Sequence, residues 1–170
     1  MKKRSLITIL IVVLTSMYVF ARDYTYNNIN YDIVNDYTVS AIVSTTSDDG
    51  EIISGKCGSN VYYVYNKTTH SLTISTISGE GQIDSYYPND SEYAPWYQYA
   101  GDIHSLYIES GVTSIGNWAF SECSNLTSVT IPNSVTYIGK WAFCGCSSLT
   151  TMTIPNSVEQ INWMAFFRCI

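Results

Sequence analysis

The chain has 170 residues, of which only 13% are charged, and a formal net charge of −6. An acidic, charge-poor chain is repelled by nucleic acid and by anionic lipid surfaces. Its surface must be largely Ser, Thr, Asn and Tyr, which suits neutral partners such as glycans or other proteins.

At the N-terminus, Lys2, Lys3 and Arg4 precede an uncharged apolar run over residues 6–20, and Val19-Phe20-Ala21 closes it. This is the pattern of a secretory signal peptide, with cleavage expected after Ala21. An uncleaved anchor is the alternative. A spanning helix, however, needs about 20 apolar residues, and this shorter run already holds Thr8, Thr15 and Ser16. The expected location is secreted or cell surface, with no membrane insertion once the signal is removed. The remaining chain keeps five basic residues against all fourteen acidic ones, a net of −9 with His neutral. Its length suffices for one ordinary core, or for a small domain plus a short solenoid.

Residues 22–102 hold twelve of the fifteen tyrosines. Aromatic and β-branched residues favour pleated surfaces, and strands are expected over residues 24–31, 37–43, 61–65 and 72–77. Asp48-Asp49-Gly50 reads as a turn, and Asn66-Lys67-Thr68-Thr69-His70 as a linker of hairpin length. The region is expected to be an antiparallel meander that caps the first repeat. Residues 85–101 read as an irregular connection with Trp96 tucked against the first coil.

Self-similarity organises the remainder. Three segments of period 23 begin at Ile103, Leu126 and Leu149; the first two agree at 11 of 23 positions and the last two at 12 of 22. Leu126, Val129 and Ile131 form an L-x-x-L-x-L ladder whose alternate side chains point inward, and Leu149, Met152 and Ile154 repeat it. Pro132 and Pro155 end strand pairing, and Asn133-Ser134 and Asn156-Ser157 supply turn chemistry. Ile138, Ala142 and Cys146 then fall at four-residue steps with Phe143 beside them, a spacing that predicts a helical turn. One such unit cannot bury its apolar face alone, so each Leu, Ile, Val, Phe and Cys is expected to meet its copy in the next coil. The fold class read from this pattern is mainly β with short helical turns: a leucine-rich-repeat-type solenoid of three 23-residue coils (103–125, 126–148, 149–170) behind a small antiparallel β cap. Replacing Phe143 by Ala is expected to loosen two interfaces and to harm folding, not binding.

The string LTxxTIPNSVxxIGxxAFxxC, over residues 103–170, resembles the BspA-like leucine-rich repeat family of bacterial and protozoan surface proteins. The stretch SLTISTISGEG followed by APWYQYAGDIHSLYIESGVTSIG is similar to the β-rich lead-in of that family and extends the resemblance to about residue 57. The resemblance implies a cell-surface or secreted protein for adhesion and host or matrix contact, and it supplies no catalytic residues. Two departures stand out. The broader consensus carries Asn or Cys where this sequence has Gly111, Ser134 and Ser157, so the coils must be held without the usual asparagine ladder. The last coil, with Trp163, Met164, Phe166, Phe167 and Ile170, is followed by no polar cap. A truncated array, self-association through that end, or collapse of Phe167 over the coil are the three readings of this ending.

Candidate chemistry is sparse. His70 and His104 have no Cys or carboxylate at metal-ligand spacing and read as surface residues. Cys123, Cys146 and Cys169 share one repeat position and read as a stack of small buried side chains, with Cys57–Cys144 or neighbouring rungs as possible disulfides. The pairs Asp48/Asp49 and Glu80/Asp84 read as turns or solvated faces in preference to glycosidase carboxylates or calcium ligands. No catalytic, metal or cofactor site is expected, and a hydrolase is the remotest reading. The outward strand positions point to partner binding: Ser105 and Tyr107, Ser128 and Thr130, Thr151 and Thr153, with His104, Thr127 and Thr150 alongside. A protein or glycan ligand outside the cell is expected on these rows. Adhesion comes first, and a glycan-binding module using exposed tyrosines is the alternative.

Overall fold

The computed structural model describes residues 52–169. The signal segment, the strands expected over 24–31 and 37–43 and the turn at Asp48-Asp49-Gly50 lie outside the described residues. The strands are β1 (Ile52–Ser59), β2 (Val61–Asn66), β3 (Ser71–Thr76), β4 (Gly81–Ile83), β5 (Ser105–Ile108), β6 (Val112–Ile115), β7 (Ser128–Thr130), β8 (Tyr137–Ile138) and β9 (Gln160–Ile161). They form one curled sheet in the order β7-β5-β3-β2-β1-β4-β6-β8-β9.

This order describes two parallel arms joined by a hairpin. β3, β5 and β7 run parallel in one arm, and β4, β6, β8 and β9 in the other. The antiparallel strands β1 and β2 bridge the arms at the N-terminal end of the stack. Asn66 organises the β2–β3 turn, its Oδ1 accepting from the N–H groups of Thr68 and Thr69. The 23-residue period is the register itself: Ser105 faces Ser128, Ser114 faces Tyr137, and Tyr137 faces Gln160.

The first two coils thus have two short strands each where one was expected, and the third has one, β9. The second strand hides in the sequence because Val112 and Ile115 are its buried residues, three apart, which is helical spacing. Val135 and Ile138 repeat that spacing in the next coil, fully buried. The hairpin expected from strands 61–65 and 72–77 forms as antiparallel β2 and β3, and β3 also pairs in parallel with β5, with Leu72 beside Leu106 and Ile74 beside Ile108. In the last coil the segment around Met152 and Ile154 forms no strand, and β7 is the edge of its arm.

The helical turn expected over Ile138, Ala142 and Cys146 takes the form of hydrogen-bonded turns and not of a helix. The 3-10 helices among the described residues are Pro88–Asp90 and Tyr97–Asp102, both before the repeats. Instead, two residues per coil adopt the left-handed conformation: Trp118, Trp141 and Met164 at one repeat position, with φ of 59°, 59° and 55°, and Glu122, Gly145 and Arg168 at another, with φ of 61°, 77° and 62°. Left-handed residues interrupt an α-helix. They also turn backbone N–H groups toward the next coil: Trp118, Phe120 and Glu122 donate to the carbonyls of Lys140, Ala142 and Cys144, and Trp141, Phe143 and Gly145 donate to those of Trp163, Ala165 and Phe167. The third side of the stack is therefore hydrogen-bonded between coils like the sheet arms. The four-residue spacing marks residues that point inward from this turn-rich side.

All three sides face one core. Leu72, Leu106 and Ile108 come from one arm, Val112, Ile115, Val135 and Ile138 from the other, and Ala119, Phe120, Ala142 and Phe143 from the third side. The phenylalanines stack in a column, Phe120 on Phe143 at 5.3 Å and Phe143 on Phe166 at 5.4 Å between ring centroids. Trp96 adds a front rung. It stacks on Phe120 at 5.3 Å, is 1% exposed, and donates from Nε1 to the Ala119 carbonyl.

Serine hydroxyls stand in for the missing asparagines. Ser134 Oγ donates to the Val112 carbonyl at 2.7 Å and accepts from the Gly111 N–H, and Ser157 Oγ donates to the Val135 carbonyl at 2.8 Å. Gly111 has φ +100°, and a Cβ there would lie 2.5 Å from Thr76 Oγ1, so the first coil has room only for glycine at this position.

Candidate functional site

The outward residues of β5 and β7 lie in register. Ser105 is beside Ser128 and Tyr107 beside Thr130, while Leu106 and Val129 between them face the core. Tyr107 is 47% exposed, and Ser128 and Thr130 are exposed. His104 and Thr127 immediately precede the two strands, with the Thr127 N–H and hydroxyl both donating to the His104 carbonyl. Thr150, Thr151 and Thr153 are exposed but lie on no strand, beyond the edge of the ladder.

Sequence reasoning missed that the rows continue backwards. Ser71 pairs with Ser105 and Thr73 with Tyr107, which extends the two rows onto β3. The signal was present, since Ser71-Leu-Thr-Ile and Ser105-Leu-Tyr-Ile match at three of four positions; the longer spacing between them, outside the 23-residue period, concealed it. Beyond β3, Val64 faces Thr73 and is 41% exposed.

The same register brings the two histidines together. The His104 N–H donates to the His70 carbonyl at 2.8 Å, and the rings lie 4.8 Å apart. His104 Nδ1 is 2.9 Å from the Asp102 carbonyl, whereas His70 Nδ1 is buried without a partner. No group of three or more potential metal ligands occurs among the described residues.

The second arm carries a feature absent from the sequence reading: an open groove of about 470 Å³ crossing β1, β4, β6 and β8. Its floor is another register row, in which Ser59 faces Gln82, Gln82 faces Ser114, and Ser114 faces Tyr137. Asp84 and Thr136 flank the row. This row was illegible because none of the strands that present it was read from the sequence.

The cysteines are free thiols. Cys123 and Cys146 are fully buried, and Cys146 Sγ donates to the Phe120 carbonyl as Cys169 Sγ does to that of Phe143. Burial pushes the Cys123 thiol up to about 12, with the Glu122 carboxylate adding to the effect, and burial also raises Cys57, Cys144, Cys146 and Cys169. Thiols held protonated in this way pack as small apolar groups and are poor nucleophiles. Glu80 and Asp84 are both exposed at the two ends of β4.

No helix among the described residues is long and apolar enough to cross a membrane. No curated protein matches the chain. A solved leucine-rich repeat protein from Eubacterium ventriosum is similar in structure, with a TM-score of 0.52 and 25% identity over 69% of this chain. The chain spans 36% of that protein's length. The model of a repeat family, described as "BspA type Leucine rich repeat region (6 copies)", matches residues 93–170. Over those residues the chain is therefore a leucine-rich repeat region of the BspA type.

Proposed function

We propose that this is an exported, surface-located interaction protein that adheres to a host or matrix protein through the outward rows of β3, β5 and β7. The observation that carries the reading is the register of Thr73, Tyr107 and Thr130, and of Ser71, Ser105 and Ser128, across a parallel arm. A hydrogen-bonded arm presents these side chains at fixed spacing, so little conformational entropy is lost when a partner docks. Tyr107 supplies the large amphipathic contact that interface hot spots favour, and the surrounding hydroxyls supply adaptable hydrogen bonds. BspA-type repeat proteins are typically surface proteins, which agrees with the signal pattern at residues 1–21.

The test is binding of the secreted chain to immobilised extracellular-matrix proteins by surface plasmon resonance. Tyr107→Ala should weaken binding about tenfold or more, in keeping with a hot-spot truncation of at least ~1.4 kcal/mol. Full-strength binding by Tyr107→Ala, or no binding to any matrix protein, would reject the reading.

A further inference from the structure

The groove on the second arm is a different surface from the adhesive rows, and its chemistry is specific. The row Ser59, Gln82, Ser114 and Tyr137 continues to Gln160 on β9, each residue the register partner of the next. Adjacent strands lie about 4.8 Å apart, so the row spans about 19 Å with one polar side chain per step. That step is comparable to the length of one pyranose in an extended glycan. Gln82, Asp84, Ser114 and Tyr137 make no side-chain hydrogen bond among the described residues. Thr113 and Ser85, which also line the groove, are already committed to the Gly81 carbonyl and the Asn117 N–H. With Ser59, whose hydroxyl is likewise without a partner among the described residues, the free groups are one amide, one carboxylate, two hydroxyls and one phenol, offered to a ligand from a fixed scaffold.

We propose that this groove is a binding site for a neutral, unbranched oligosaccharide laid along the stacking axis, about one sugar per coil. Amides and carboxylates hydrogen-bond vicinal hydroxyls, and the Tyr137 ring supplies an apolar face for a sugar ring. No basic side chain lines the groove, so an anionic ligand is disfavoured. An extended peptide is disfavoured as well. Strand addition needs a free sheet edge, and this row crosses strands whose backbone groups are already paired within the arm. The proposal does not depend on the adhesive reading of the first arm.

The experiment probes the full secreted chain with neutral tetrasaccharides of the gluco, manno, xylo and N-acetylglucosamine types on an array, and follows any hit by isothermal titration calorimetry. At least one neutral tetrasaccharide should bind. Gln82→Ala and Asp84→Asn, both at exposed positions, should each weaken it tenfold or more, while Tyr107→Ala on the other arm should leave its affinity within twofold. Circular dichroism matching the parent chain checks that each variant is folded. Failure of every neutral tetrasaccharide to bind would overturn the proposal. So would binding confined to anionic glycans or peptides, or a hit whose affinity survives both Gln82→Ala and Asp84→Asn.

Discussion

Phe143→Ala tests how the stack is held together. Phe143 is fully buried and sandwiched between Phe120 and Phe166, at 5.3 and 5.4 Å with interplanar angles of 25° and 8°. Truncating a buried Phe to Ala costs about 3–5 kcal/mol, the sum of lost transfer energy and the cavity left behind. Domains of this size are stable by about 5–15 kcal/mol in all, so the loss is a large share of the total. Phe166 is a control within the same column. It has one phenylalanine neighbour, Phe143, and is only partly buried, so Phe166→Ala should cost about half as much. Urea unfolding monitored by tryptophan fluorescence, with linear extrapolation, measures both losses. Equal costs for the two variants, or a cost below about 1 kcal/mol for Phe143→Ala, would refute the idea that coils are clamped by a continuous aromatic column.

Other consequences follow from particular contacts. Ser134→Ala removes the hydroxyl that serves both the Val112 carbonyl and the Gly111 N–H, and should lower the unfolding free energy by about 1–2 kcal/mol in urea titrations. The buried thiols predict alkaline sensitivity. In the unfolded chain Cys123 loses its proton near its ordinary value of 9.0, whereas the folded chain holds it to about 12. The unfolded state thus binds fewer protons above pH 9, and stability falls as pH rises from 9 toward 12. Between pH 8 and pH 10 the loss assigned to this thiol is about 1 kcal/mol, and Cys123→Ala should remove that part of the slope in urea midpoints taken at the two pH values. A slope unchanged by the substitution would show that the thiol titrates as freely in the fold as outside it.

The period of the repeat and the inward ladder of each first strand were legible because identical side chains must meet at identical positions, and Leu106 beside Val129 is that rule in the register. Trp96 was legible as a packing residue because a large aromatic beside an uncovered first coil has an obvious place to go. The second strands were not legible. A strand of two to four residues with buried residues at its two ends, such as Val112 and Ile115, imitates helical spacing. The left-handed positions escaped for a different reason. Trp118, Glu122, Met164 and Arg168 carry side chains that ordinarily avoid positive φ, so nothing in the residue types announces the conformation. The first arm of the candidate surface was read from the ladder. The groove was lost with the second strands, since an outward row cannot be named before its strand is.

The central claim is parallel stacking of coils at an offset of 23 residues on both arms, and cross-strand nuclear Overhauser effects in the isotope-labelled protein test it most directly. Backbone contacts of parallel type should link Leu106 to Val129 on one arm and Ile115 to Ile138 on the other. Contacts at a different offset, an antiparallel pattern between these strands, or contacts on one arm alone would contradict it.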